Sequence, residues 1–434
     1  MHRIFRSRSA RPALPPGGVH PLAATRSLVR AIAGLGLAAI VTTSGQAIAA
    51  PIVPASDATV LERLPFKAND PVAREMASLR RQLQLDPNNQ VVAAKLAQRY
   101  FDLVGEEGDP RYLGYAEAAL APWWKLPAPP DEIQVLRASL KQFRHEFASA
   151  IQDLDAVLAR TPRHAQARAL RAILHIVQAR YAAARSDCNA LHDLSSELIA
   201  TGCETMVDGL NGQNGSAYQR LNAALQATPN ASKGDQLWIL LRLAEMAQRL
   251  DRPREAELHF KRALSLDILN TFLLAAWADF LLDQHRNLEV MSLLQEKGRS
   301  DNLLLRMVLA EQGKSDALAL QHRATLAARY AAAQMRGDTV HQQEEARFAL
   351  RIENNPAKAL RLAQENWKVQ REPRDARILL EAALAQHDAA GAQPVLQWLA
   401  ESHHEDPLLL KLAQQLAALP QNATALKTAQ KGQP

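Results

Sequence analysis

The chain has 434 residues, of which 47% are hydrophobic and only 5% aromatic, a length that exceeds what one ordinary hydrophobic core can fill and so excludes a single simple globule. Val and Ile are sparse and never alternate in the runs a strand requires, which excludes a β architecture and leaves the Ala-, Leu-, Gln-, Arg- and Glu-rich composition to helices. The formal charge of +6 comes from six arginines (Arg3, Arg6, Arg8, Arg11, Arg26 and Arg30) in an acid-free stretch of 49 residues; without them 45 basic face 45 acidic side chains, and the global basic footprint of a nucleic-acid binder is missing.

Residues 1–49 read as an export signal. The Arg-rich segment ends at Arg30 and is followed by the apolar run Ala31 to Val41, a polar turn from Thr42 to Gln46, and Ala47-Ile48-Ala49. The small residues flanking Ile48 suit a signal peptidase, with cleavage after Ala49 or, as the nearest alternative, Ala50. The apolar run is about half of the ~20 residues that cross a bilayer. No Arg-Arg pair precedes it and no Cys follows the cleavage site, so general secretion is expected, to a periplasmic or extracellular location. An organellar transit peptide is the rival reading. Residues 50–70, rich in Pro, form a linker.

The first predicted helix runs from Pro71 to Leu85 and stops at Asp86-Pro87-Asn88-Asn89, where Pro cannot continue a helix and Asn favours a turn. Beyond it, small residues recur at a fixed interval. Ala138 returns as Ala172 and Ala150 as Ala184, each 34 residues later, with Phe147 and Tyr181 at the same spacing and Pro162 closing the earlier unit. Gly212, Ala217, Leu221, Ala224 and Pro229 take the corresponding places in the next unit. Ala244 returns as Ala278, and Ala256, Phe260, Ala263 and Leu264 are followed in register by Val290 and Leu294. Small residues let helices approach to ~8–10 Å and larger ones fill the groove between them. Five good units are counted between about residues 90 and 300, the first stretched by Gly105 to Pro110 and by Ala121-Pro122-Trp123-Trp124. A weaker helical continuation covers residues 301–420: Leu303–Gln312, Asp316–Arg336, Thr339–Asn354, Pro356–Gln370, Arg374–Gln386, Ala389–Ser402 and a last helix near Pro407–Leu419. Residues 421–434 read as a disordered tail.

Leu85-Asp86-Pro87-Asn88-Asn89 followed by Leu96-Ala97-Gln98-Arg99-Tyr100, together with the 34-residue recurrence, resembles the tetratricopeptide-repeat (TPR) family. The resemblance implies an all-α fold, a right-handed superhelical α-solenoid of antiparallel helix pairs, and a non-catalytic role in protein–protein contact, as in exported bacterial members with unassigned partners. It also implies that the first helix of each pair lines the inner, partner-binding surface. By register that surface includes Trp238, Leu241, Glu245 and Arg249 from one unit and Phe272, Ala275, Asp279 and Asp283 from the next, aromatic anchors beside charges; core packing of Trp238 or Phe272 is the other reading. Members that bind chaperone tails carry a Lys/Asn carboxylate clamp; the matching positions here are Ala94 and Gln98, so no such clamp is expected.

Cys188 and Cys203, the two cysteines, fall on consecutive helices about two turns either side of Ser195-Ser196. A disulfide is expected if the side chains face each other in an oxidising compartment; two small buried hydrophobes is the alternative. Either role is structural, since no CxxC is present. His403-His404-Glu405-Asp406 lacks the spacing of a metal site and reads as a solvated interhelical loop. Trp123-Trp124, among four prolines, reads as a plug between units. No GxSxG, phosphate loop or spaced carboxylate pair appears, so no catalytic residue, metal or cofactor is expected. The expected partner is a protein or peptide in a cell-envelope assembly, with no stable membrane insertion. The alternatives are the periplasmic arm of a polysaccharide-export machine and an enzyme with an unrecognised site in the C-terminal part.

Overall fold

The computed structural model describes residue 56 and residues 69–419; the leader, most of the linker and the tail lie outside them. Helix α1 (Pro71–Leu85) precedes the first pair, α2 (Gln90–Glu107) and α3 (Arg111–Ala119), which the single turn α4 (Ala121–Trp124) extends. There follow α5 (Asp131–Phe143) with α6 (Phe147–Arg160), α7 (Ala165–Val177) with α8 (Tyr181–Leu191), and α9 (Glu197–Gly209) with α10 (Asn214–Ala227). Next come α11 (Lys233–Arg249) with α12 (Pro253–Leu264) and α13 (Thr271–Asp283) with α14 (Asn287–Leu293). The continuation has the same plan: α15 (Asp301–Ala310) with α16 (Ala317–Met335), α17 (Gln342–Arg351) with α18 (Pro356–Val369), and α19 (Pro373–Ala385) with α20 (Gln393–Glu401). Helix α21 (Pro407–Ala417) packs on α19 as the next first helix. Among the described residues there is no strand. The all-α solenoid of helix pairs expected from the repeats is therefore present, and it runs through the C-terminal part as well.

The recurring small residues sit where helices touch: Ala138, Ala150, Ala172, Ala184, Ala217, Ala244, Ala256 and Ala278 are all fully buried. Each pair is closed by one residue in the left-handed region, where the first helix ends: Gly108, His145, Ala179, Gly212, Asp251, His285, Gly313, Asn354 and His387. The amide after it reaches back five residues to the helix, as in Glu146 to Lys141 (2.9 Å), Arg180 to His175 (2.7 Å) and Arg252 to Ala247 (2.9 Å), the Schellman closure that satisfies otherwise orphaned carbonyls. Most first helices open on a side-chain cap, supplied by Asn89, His164, Ser196, Ser232, Asn270, Ser300 and Asp406. Second helices α6, α8, α10, α12 and α14 have none from their own N-cap residue, because the tight turn already fixes their start.

An ion pair also repeats. Arg137 on α5 donates to Asp153 on α6 (Nε to Oδ2, 2.9 Å), and Arg171 on α7 to Asp187 on α8 (2.8 Å), each pair 16 residues apart. Arg137 further donates to the carbonyls of Trp124 (2.7 Å) and Leu126 (2.9 Å), which ties the Trp-Trp connector to α5. Trp123 is buried against α2, α3 and α5, so the pair does plug the stretched first unit.

The pairs wind until later units return to earlier ones. At one seam the Thr271 hydroxyl donates to the Gly105 carbonyl, 166 residues away (2.8 Å). Gly108 lies so close that a Cβ there would stand 2.5 Å from Ser300 Oγ. At a second seam Arg371 N donates to Val177 O (2.7 Å), and the Trp398 indole N–H donates to Tyr181 Oη, 217 residues away (3.0 Å). The His403–Asp406 loop belongs to this seam and is solvated only in part: His403 and Glu405 are exposed, Asp406 is half-buried and His404 is buried. His404 is 4% exposed and lies on Trp398 at 4.7 Å, while Glu405 caps α10 by accepting from Asn214 N (2.7 Å). A docked neighbouring turn replaces water around His404, a contact that local sequence does not carry.

Candidate functional site

First helices pack on first helices along the coil, and their free faces look inward. Two stretches of that inner face differ in chemistry. From α13 to α19 it is filled with ion pairs that cross between units. Asp279 on α13 accepts from Arg306 on α15 (2.7 Å) and from Arg347 on α17, 68 residues away (2.5 Å). Asp283 accepts from Arg377 on α19, 94 residues away (2.7 Å), and Glu381 accepts from Arg377 (2.9 Å) and Arg351 (2.8 Å). Burial alone would raise the Asp279 carboxyl, but the two guanidinium groups outweigh it and hold the group well below the usual carboxylate range. The Arg377 guanidinium loses solvation yet is held more firmly protonated by Asp283 and Glu381. Both acids named from the register thus face inward, and both are engaged within the chain.

Between α5 and α11 that face carries an apolar cleft. Ser139 of α5, Leu170 and Ile173 of α7, Ile199 and Cys203 of α9, and Trp238 of α11 line a cleft of about 300 Å³. Trp238 is half-buried, and its position depends on Gly202: a Cβ there would stand 2.5 Å from the indole Cζ3, so only glycine lets the ring lie flat on α9. Cys188 and Cys203 are joined by a disulfide with Cα atoms 5.3 Å apart, which clamps α8 to α9 directly behind the cleft. Gln166 and Asp235 complete the rim.

The remaining register-derived residues separate. Leu241 is buried in the core cluster against which Trp238 also packs and does not line the cleft. Glu245 pairs with Arg242 (3.0 Å). Arg249 lies deep in the coil, its Nε without a partner among the described residues, and its guanidinium is pushed down by burial. Phe272 remains 45% exposed but stands edge-on to Phe143 at 6.5 Å, which in turn meets Phe101 at 6.5 Å. It therefore belongs to the first seam, away from Trp238. The cleft partners Leu170, Ile173 and Ile199 were not among the residues singled out in the sequence, although Leu170 and Ile173 follow helical spacing on the inner side of α7. No group of three or more metal-ligating side chains occurs among the described residues, and none of their helices is long and apolar enough to cross a membrane.

No protein-family model matches the chain, and no curated protein does. Solved structures similar to it include a tetratricopeptide repeat protein from Parabacteroides merdae, at 15% identity over 58% of this chain and 90% of the other, with a TM-score of 0.38. Yeast Tom70 is 14% identical over 83% of this chain and 89% of its own, with a TM-score of 0.35. The TPR domain of P58(IPK) is 16% identical over 83% and 99%, with a TM-score of 0.20. At these values the likeness carries no argument about a binding site, and the site rests on the geometry above.

Proposed function

We propose that the chain is a non-catalytic TPR-type scaffold, exported to an oxidising compartment, that holds a protein partner of a cell-envelope assembly on the inner face of α5 to α11. The observation that carries this reading is the apolar cleft at Trp238, set beside an ion-paired stretch that has no free charges to offer at Asp279 and Asp283. A half-buried Trp at the centre of an apolar concavity is the residue type and setting of an interface hot spot. The disulfide in the cleft wall fits the secretory reading of residues 1–49, because such bonds persist outside reducing cytosol. Among the described residues Asp279 and Arg377 owe their shifts to ion pairs, and His259, which meets the Tyr218 hydroxyl at 2.9 Å, owes its shift to burial.

The test is photo-crosslinking in the native envelope from a reactive residue placed at Gln166 on the cleft rim. One partner should be captured, and Trp238→Ala should weaken its binding ~30-fold, as loss of a 2 kcal/mol hot spot requires. Gly202→Ala should do the same by displacing the ring, and Phe272→Ala should leave capture intact. Absence of an adduct, or adducts indifferent to Trp238→Ala in a chain of unchanged circular dichroism, removes the reading.

A further inference from the structure

A second cleft, about 630 Å³, opens between helices α18 and α20 and is closed at one end by the start of α8 and the turn before α10. It lies on the second helices of their pairs, away from the Trp238 cleft, and its size is that of a small-molecule site. Trp367 and Trp398, edge to face at 5.4 Å, form its apolar floor; the Trp398 N–H is already committed to Tyr181. On the α18 side stands Arg371, exposed, whose Nε donates to the Trp367 carbonyl (3.3 Å) and whose terminal nitrogens have no partner among the described residues. On the α20 side stands Glu401, exposed, which accepts from Gln397 Nε2 (2.7 Å) and has no cation among the described residues. Lys368 and Glu365, the other charges at the cleft, neutralise each other at 2.7 Å. Asn211, Gln364 and Gln397 each spend an amide N–H on the protein, on Val207 O, Gly391 O and Glu401 respectively, which leaves three carbonyl oxygens able to accept.

We propose that this cleft binds a short zwitterionic peptide, its carboxylate on Arg371, its ammonium on Glu401 and its N–H groups on the amide oxygens. A neutral ligand such as a sugar would cover one free cation and one free anion without compensating either, whereas a zwitterion repays both desolvation costs at once. An apolar floor under polar walls suits side chains under a peptide backbone. Because the cleft is built from both sides of the second seam, occupancy would also fasten α8 to α18 and α20.

Isothermal titration of the folded chain with the tripeptide Ala-Leu-Ala, and with its N-acetylated and C-amidated forms, tests the proposal. The free peptide should bind in the range of about 0.1–1 mM, and each blocked form about tenfold more weakly. Glu401→Gln should weaken the free peptide about tenfold and leave the N-acetylated form where it already is. Arg371→Met should do likewise for the C-amidated form, and Arg371→Lys should recover part of the affinity. Trp238→Ala should leave all of these values unchanged, which separates this site from the partner cleft. No heat with the free peptide, or equal affinity for free and blocked forms, overturns it.

Discussion

His404 and His259 are buried imidazoles held in different ways. His404 lies against Trp398 and beside the Leu210 backbone, and His259 Nε2 meets Tyr218 Oη at 2.9 Å. Burial pushes both down to about 4, helped at His404 by Arg249 and at His259 by Arg262. Because the folded pKa lies below the unfolded value of about 6.5, the unfolded chain binds more protons between those limits. Their stabilising contribution is therefore complete above about pH 6.5 and is lost as pH falls towards 4. At pH 5 each should cost roughly 2 kcal/mol relative to pH 7. Thermal melts across that range should show a fall in Tm that His404→Gln and His259→Gln each make shallower. Equal slopes in wild type and variants would mean that neither ring is held neutral.

At the scale of the element, the Cys188–Cys203 bond joins helices that already pack, closing a loop of sequence separation 15. A loop of that size is worth ~3 kcal/mol in the chain-entropy account. Cys188→Ala with Cys203→Ala should lower stability by about that amount while leaving helix content unchanged, measurable by urea titration of the variant against the oxidised chain. A difference under 1 kcal/mol would show the bond to be redundant with the packing of α8 on α9. This pairing was legible because both cysteines sit at equal distance from one short turn. The helix boundaries are legible too: a helix from about Pro71 to Leu85 follows from the sequence, since Asp70, Pro71 and Pro87 mark both ends. The left-handed turn residues were not. His145, Ala179, Asp251 and His285 occupy the place where glycine would have announced itself, and the fold imposes the conformation on ordinary side chains. The repeated Arg137–Asp153 and Arg171–Asp187 pairs were visible in principle, as the same 16-residue spacing one repeat apart. Phe272 and Trp238 were placed together because register gives the face of a helix but not which stretch of the coil that face meets.

At the scale of the whole molecule, closure of the coil decides what the inner face can do, and sequence carries little of it. Contacts 166, 191 and 217 residues apart depend on small rotations summed over several units, to which no local pattern is sensitive. A solenoid whose turns touch is held at one pitch, so the Trp238 cleft keeps its width before any partner arrives, and ordering costs on binding fall. Gly108 is the point at which this is testable. It has φ of +68°, and a side chain there would drive into Ser300 Oγ and Cβ at 2.5 and 2.6 Å. Gly108→Val should part the first seam, raising the radius of gyration in solution scattering and lowering Tm, with circular dichroism unchanged. Ser300→Gly removes both clashing atoms and weakens the α15 cap by only a few tenths of a kcal/mol. Added to Gly108→Val, it should restore the wild-type scattering, while the ~1–2 kcal/mol strain of a branched residue in the left-handed region remains in the Tm. Expansion that Ser300→Gly does not reverse would assign the effect to backbone strain at Gly108 or to Thr271 Cγ2, which a Cβ there would meet at 3.3 Å. Scattering unchanged by Gly108→Val would mean that the turns do not touch in solution, and that the inner face is a flexible surface instead of a preset cleft.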